Sequence, residues 1–231
     1  MIIEMAAVSI IGGFLCLDRS CLQIMISRPV VIAPLTGFCL GDLMTGLVIG
    51  AFTELLWIDR PQIGIYIPPN DSLISIAIVS SLLLSGVPLA EHRHELAAFS
   101  FLTMIPLANA SGRIDAALVR GNERLSEIAI KAAADGDTLT IGKQHLKAIL
   151  RNFVANVLFL FVTLTAGILV IGYLFPMLPD FAIEALRLMY VLIPVVLIAV
   201  AMNTVKLNNM IPFVCGFFLA VLILVELIRG H

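Results

Sequence analysis

Between Arg28 and Asp71 the chain reads RPVVIAPLTGFCLGDLMTGLVIGAFTELLWIDRPQIGIYIPPND, apolar enough to enter a membrane yet too broken to cross one as a plain helix. Asp42, Glu54, Asp59, Asp71 and five prolines interrupt it. Hydrophobic residues make up 60% of the 231-residue chain and charged residues 13%, against roughly 45–50% and about 25% in ordinary soluble domains. A soluble fold has too little interior to hide that fraction. The expectation is therefore an all-α polytopic membrane protein, a single integral domain over residues 1–231 with lipid as its main solvent. The net charge of −2 has the wrong sign for a nucleic-acid binder. Cys16, Cys21, Cys39 and Cys215 sit in or beside apolar runs without metal-like spacing and read as small hydrophobes. Ile2–Leu17 has no basic residue before its apolar run and no small-residue cleavage site, so it reads as mature chain.

A spanning helix needs about 20 apolar residues. Within the opening stretch, Val30–Leu40 and Met44–Ile58 are split by Gly41-Asp42, and at about 1.5 Å per residue each reaches only about 16–23 Å. Neither crosses alone. Together they predict a broken re-entrant hairpin, because Gly41, Asp42 and Thr45 are turn and cap residues at its midpoint. The alternative is one long helix with Asp42 buried against a partner. Pro29 suits the first helical position. Residues 59–71 cannot be regular helix, since Pro61, Pro68 and Pro69 remove donors and push the preceding residues towards extended geometry. Six further runs read as spanning helices: Ile2–Leu17, Ser72–Leu89, Leu96–Ala110, Ile149–Phe175, Ile183–Met202 and Met210–Leu227. The charged knot Glu91-His92-Arg93-His94-Glu95 is expected to separate the second from the third.

Residues 111–151 form the one long polar segment. It carries seven of the fourteen Lys and Arg residues, which places it in the cytoplasm by the positive-inside rule. Ile114, Ala117, Leu118, Leu125, Ile128 and Ala129 recur at helical spacing and predict an amphipathic helix. Asp135-Gly136 ends it, and Asp137 or Thr138 caps a second, short one.

Ionisable groups at membrane depth cost about 2.5–3.5 kcal/mol on insertion scales, so each is a functional candidate by default. Glu54, inside TELLWI, can accept hydrogen bonds from a polyol or pair with Arg28 or Arg60. Asn70 and Asp71 follow a Pro-Pro step that fixes their backbone, and can bind a ligand, cap the next helix, or both. Asp42 can do either. Trp57 and Tyr66 can stack on a sugar ring or anchor at the interface. Gln23 and Asn109 are weaker candidates. His92 and His94 sit in what reads as a solvated charge cluster, so no metal site is assigned and no cofactor expected. Hydrogen-bonding groups in a membrane cavity without an obvious catalyst describe a permease.

The stretch RPVVIAPLTGFCLGDLMTGLVIGAFTELLWI followed by QIGIYIPPND resembles the signature of the membrane IIC subunit of the mannose/fructose/sorbose type of sugar phosphotransferase system. IPLANASGR, KAAADGDTLTIGKQH and VAMNTVKLNNMIPFVCGFFLA extend the likeness in the family's order. The resemblance implies a multi-pass protein of the bacterial inner membrane that pairs with a IID membrane subunit, in an oligomer. It would import a hexose-type sugar for phosphorylation by cytoplasmic IIB, itself charged by IIA. The phosphorylated histidines would lie on those partners, making this chain a non-catalytic permease subunit. The implied sugar-binding residues are Glu54, Asn70, Asp71, Asp42 and Gln62. The family's PPD aspartate falls on Asn70, and its Leu-Gly after the glutamate helix is replaced by Asp59-Arg60. Two rival readings are a proton-coupled secondary transporter titrating Glu54 or Asp42, and a non-transporting scaffold that recruits phosphotransferase proteins.

Overall fold

A computed structural model describes residues 1–60 and 67–204. Gln62, Tyr66, the Met210–Leu227 run and Cys215 lie outside the described residues. Every regular element among those described is helical: α1 (Ile2–Leu15), α2 (Pro29–Cys39), α3 (Leu43–Trp57), α4 (Asp71–Leu84), α5 (Leu89–Met104), α6 (Ala108–Ala134), α7 (Thr138–Leu174) and α8 (Asp180–Thr204), with short helical turns after α1, α5 and α7.

The opening stretch folds as a hairpin. Pro29 occupies the first turn of α2, and the chain reverses where Gly41 takes φ +92° and the Asp42 amide donates to the Gly37 carbonyl at 2.8 Å. Asp42 then caps α3, accepting from the Thr45 amide at 3.0 Å and the Thr45 hydroxyl at 2.8 Å. Small residues let the legs touch backbone to backbone. A Cβ on Gly50 would lie 2.6 Å from the Pro29 carbonyl oxygen, and one on Gly46 would overlap the carbonyl of Ala33. With 11 and 15 residues, the legs reach about 16 and 22 Å, short of a hydrocarbon core about 30 Å thick.

The hairpin packs on α4, which is buried from Ser72 to Leu82 and forms the centre of the molecule. Gly12 of α1 lets Ile76 approach, and Gly167 of α7 sits directly on Ser81. α1 and α4 are shorter than the expected runs, and α5 is no longer than a short apolar helix. α1, α4 and α5 have 14, 14 and 16 residues. Among the described residues, Thr138–Met177 and Asp180–Met202 are the stretches long and apolar enough to cross a membrane alone.

The charged knot interrupts α5 rather than preceding it: His92 leaves helical geometry (φ −132°, ψ 33°) and kinks the helix between its first turn and the longer piece that follows. Nor is it wholly solvated. Glu95 is buried and accepts from Arg187 of α8 at 2.6 Å, Arg93 pairs with Asp42 at 3.1 Å, and His94 stacks on Tyr190 with ring centroids 4.4 Å apart. Arg187 of α8 lets Glu95 leave water, while Arg93 and His94 remain exposed.

The polar segment at 111–151 is an antiparallel helical arm. α6 ends at Ala134, Gly136 takes φ +72°, and Asp137 caps α7, accepting from the Thr140 hydroxyl at 2.6 Å and the Thr140 amide at 3.0 Å. These hydrogen bonds hold the Asp137 carboxyl below its ordinary pKa. The second helix of the arm is not short. It continues without interruption into the apolar half of α7, 37 residues in all. Arg151 donates to the Gly121 carbonyl at 3.0 Å, tying the two legs.

Candidate functional site

The end of the bundle from which the arm projects gathers the end of α1, the residue 20–28 loop, the C-terminus of α3 and the N-termini of α4 and α6. Its axis is an ion pair between Arg19 and Asp71 at 2.6 Å, both partners largely shielded from solvent. Arg19 follows α1 in a tight helical turn (Cys16–Arg19), and Asp71 opens α4, where a carboxylate also favours the helix N-terminus.

On one side of this pair lies a cleft of about 390 Å³, bordered by Gln23, Ser27, Arg28, Trp57, Arg60 and Asp71. Its rim is held open by Asp18, which is 4% exposed and accepts from the amides of Ile24 (2.8 Å) and Ser27 (3.1 Å) and from the Ser27 hydroxyl (3.1 Å). Burial opposes ionisation of Asp18, but these hydrogen bonds outweigh it and keep the carboxyl below its ordinary range. They also hold Gln23 (φ +56°) and Met25 (φ +66°) in left-handed backbone, a conformation that non-glycine residues adopt only when their surroundings impose it.

On the other side lies a second cleft of about 290 Å³, lined by Asn70, Asp115, Asn122, Asn152 and Asn156 together with apolar Leu118 and Val119. Asn70 caps α4 through the Leu73 amide (3.2 Å), donates its own side-chain amide to Asp115 (3.1 Å), and has its backbone N–H held by Ser111 (2.9 Å). Burial pushes the Asp115 carboxyl above its ordinary pKa, against the hydrogen bond from Asn70 and the charge of Arg19.

The residues singled out from sequence are therefore only partly brought together. Asp71 and Asn70 face adjoining clefts. Glu54, 19% exposed, bonds to Arg28 at 2.5 Å, and through that arginine reaches the rim of the larger cleft. Asp42 belongs elsewhere. It is separated from Glu54 by about 18 Å of helix axis, and its carboxylate is committed to capping α3 and to Arg93. Gln62 lies outside the described residues. Sequence reasoning missed Arg19, Asp18, Asp115, Asn122, Asn152 and Asn156. The signal for the last two was their i, i+4 spacing at the start of an apolar run, which sets both on one helix face.

Comparison with known proteins decides what this architecture belongs to. Residues 2–230 match the family model described as the sorbose-specific IIC component of the phosphotransferase system. The chain belongs to that family. This IIC chain is thus a membrane protein of the mannose/sorbose type of phosphotransferase sugar transporters. Over 188 residues, 80% of this chain and 67% of the relative, it is 27% identical to the mannose-specific EIIC component of Escherichia coli strain K12, and equally to that of Shigella flexneri. Its fold matches a solved membrane-protein structure with a TM-score of 0.71, and a cryo-EM structure of the mannose transporter ManYZ in complex with microcin E492 with a TM-score of 0.60. Each match is at 22% identity and covers 99% of this chain and 91% of the other.

The geometry explains the departure at position 70. A carboxylate there would face Asp115 across about 3 Å and meet like charge. An amide at 70 donates to the acid at 115 instead. The Asp59-Arg60 substitution is exposed, the two side chains 3.8 Å apart at the end of α3.

Proposed function

We propose that this IIC chain is the sugar-translocating subunit of a phosphoenolpyruvate-dependent phosphotransferase complex in a bacterial inner membrane. It imports a hexose-type sugar, pairs with a IID membrane subunit in an oligomer, and delivers the sugar to a cytoplasmic IIB protein charged by IIA. The observation that carries this reading is the larger cleft. Its volume of about 390 Å³ lies in the usual ligand-pocket range of about 300–1,000 Å³. Its wall offers a carboxylate, guanidinium groups, an amide and the indole of Trp57, the mixture of hydrogen-bonding groups and aromatic face that a sugar ring needs. It also opens at the end of the bundle where the arm begins, the side that the basic residues assign to the cytoplasm.

The test is sugar uptake in cells lacking other permeases, with this chain expressed beside its IID partner. Asp71→Asn removes the charge opposite Arg19 and is expected to abolish uptake at unchanged membrane levels of the protein. Glu54→Gln is expected to weaken uptake less, because Arg28 lies half in solvent. Normal uptake by a well-expressed Asp71→Asn protein would rule out the cleft as the sugar site.

A further inference from the structure

We propose that one flank of the α6–α7 arm is the docking surface for an acidic, phosphorylated protein of the cytoplasm, in the reading above the loaded IIB carrier. The proposal rests on that reading and adds where the carrier binds. The two helices of the arm meet along a seam that buries Leu125 and Ala132 of α6 and Gln144 of α7. Arg124, Lys131 and Lys143 each stand one position before one of these residues, and Arg120 one before Gly121, where Arg151 bonds across the seam. One residue turns a helix by about 100°, so all four leave the seam on the same hand. Between antiparallel helices, the same hand means the same flank. Asn122 and Asn152 each follow the Gly121–Arg151 contact by one position, and they share the second cleft on the opposite flank. Arg113 and Lys147 extend the two rows at spacings of seven and four residues. Six of the seven basic side chains of the arm thus stand on one flank, with Arg151 at the seam beside them, and all are exposed. Among the described residues, none of them pairs with a carboxylate. The acids of the arm stand elsewhere. Asp115 is bonded to Asn70, Asp135 and Asp137 lie in the turn, Glu123 projects away from the rows, and Glu127 alone borders them.

Height decides between a lipid and a protein partner. The apolar part of α7, from Phe153 to Leu174, is about 33 Å long and matches a hydrocarbon core about 30 Å thick. Lys147 and Lys143 precede Phe153 by six and ten positions, which raises them about 9 and 15 Å above that core. The headgroup layer is only about 5–8 Å deep. Both lysines, with Arg124 and Lys131 across the seam, therefore stand in water beyond the lipid. An anionic surface that meets the rows along their length has to come from the cytoplasm. A phosphorylated carrier supplies one, since a phosphoryl group carries about −1.5 to −2 charges at pH 7. That charge leaves the carrier when the phosphoryl group passes to a sugar hydroxyl. The basic flank thus holds the loaded carrier more tightly than the spent one. The arm is one helix thick, about 10–12 Å, so a carrier seated there stands close to the second cleft and leaves it open.

The experiment measures binding of purified IIB, phosphorylated and unphosphorylated, to the full chain and its IID partner in nanodiscs by biolayer interferometry. Lys143→Gln with Lys147→Gln removes two charges from the basic flank. Ser126→Glu with His145→Glu, both exposed, lowers the net charge equally on the opposite flank. The lysine pair is expected to raise Kd for phosphorylated IIB by about tenfold at low salt. The effect is expected to shrink as salt is raised and to be smaller for unphosphorylated IIB. The control pair is expected to bind as wild type does. Equal weakening by both pairs would show a response to net charge alone, and wild-type Kd in both would place the carrier elsewhere. Either result overturns this proposal and leaves the permease reading standing. A lower Tm for the lysine pair only in discs containing phosphatidylglycerol, at wild-type Kd, would assign the flank to lipid and overturn it too. Sugar uptake by the wild-type complex in cells lacking IIB would overturn the phosphotransferase reading itself, and this proposal with it.

Discussion

α4 and α8 look alike in hydropathy and live in opposite surroundings. α4 has 14 residues, and its isoleucines at 74, 76 and 78 are wholly buried. α8 has 25 residues, and of its apolar stretch only 17% is buried. Leu188, Val191, Leu192 and Val196 of α8 point outward, where lipid would cover them. Length and hydroxyl content separate the two. α4 carries Ser72, Ser75, Ser80 and Ser81, all buried, and is too short to span. In a bilayer, helices associate through close packing and small residues rather than through hydrophobicity itself. The short, serine-bearing helix is therefore the one the others close around, while the long uniform one makes the wall.

The comparison is sharpest where bulk is removed from α4. Ile76→Ala is expected to cost about 2–5 kcal/mol, read as a large drop in Tm of the detergent-solubilised protein. A loss below 1 kcal/mol would mean that α4 is not the packed centre. Adding bulk against α4 comes next. Gly167→Ala places a methyl against Ser81 and within 2.8 Å of the Met104 methyl, and is expected to cost about 1–3 kcal/mol by the same measurement.

A smaller effect is expected outside the membrane helices, at Asp18. Its folded pKa lies below the ordinary value, so its stabilisation is present above the unfolded pKa of about 3.9. It is lost as pH falls through the lower folded value. The Tm difference between wild type and Asp18→Asn should therefore hold from pH 7 to about pH 5 and then close on further acidification. A difference that grows in acid would reverse the assignment. Val191→Ala on α8 is the control, expected to change stability by no more than about 0.5 kcal/mol. A cost near that of Ile76→Ala would show that the outer face of α8 is packed against protein.

Much of this was legible from the chain itself. Gly41, Asp42 and Thr45 announced the hairpin turn because cap and turn chemistry is local, and Asp135-Gly136-Asp137 announced the break in the arm for the same reason. The family likeness carried the rest of the class. What sequence could not show was pairing across distance. Glu95 with Arg187, Arg93 with Asp42 and Asn70 with Asp115 lie 92, 51 and 45 positions apart, and each moves a charged or polar residue from water into protein. The same blindness grouped Asp42 with Glu54, which share a helix but sit near its opposite ends. It also hid Arg19, whose role comes from a contact with Asp71, 52 residues away.

α7 is a single rod of 37 residues, about 56 Å long. Its first turns stand in the polar arm, its middle carries Asn152 and Asn156 beside the second cleft, and its far half rests on α4 at Gly167. There is no hinge between these stations. Whatever grips the arm therefore holds one end of a lever whose other end bears on the buried centre of the protein, and the cleft lies along its shaft.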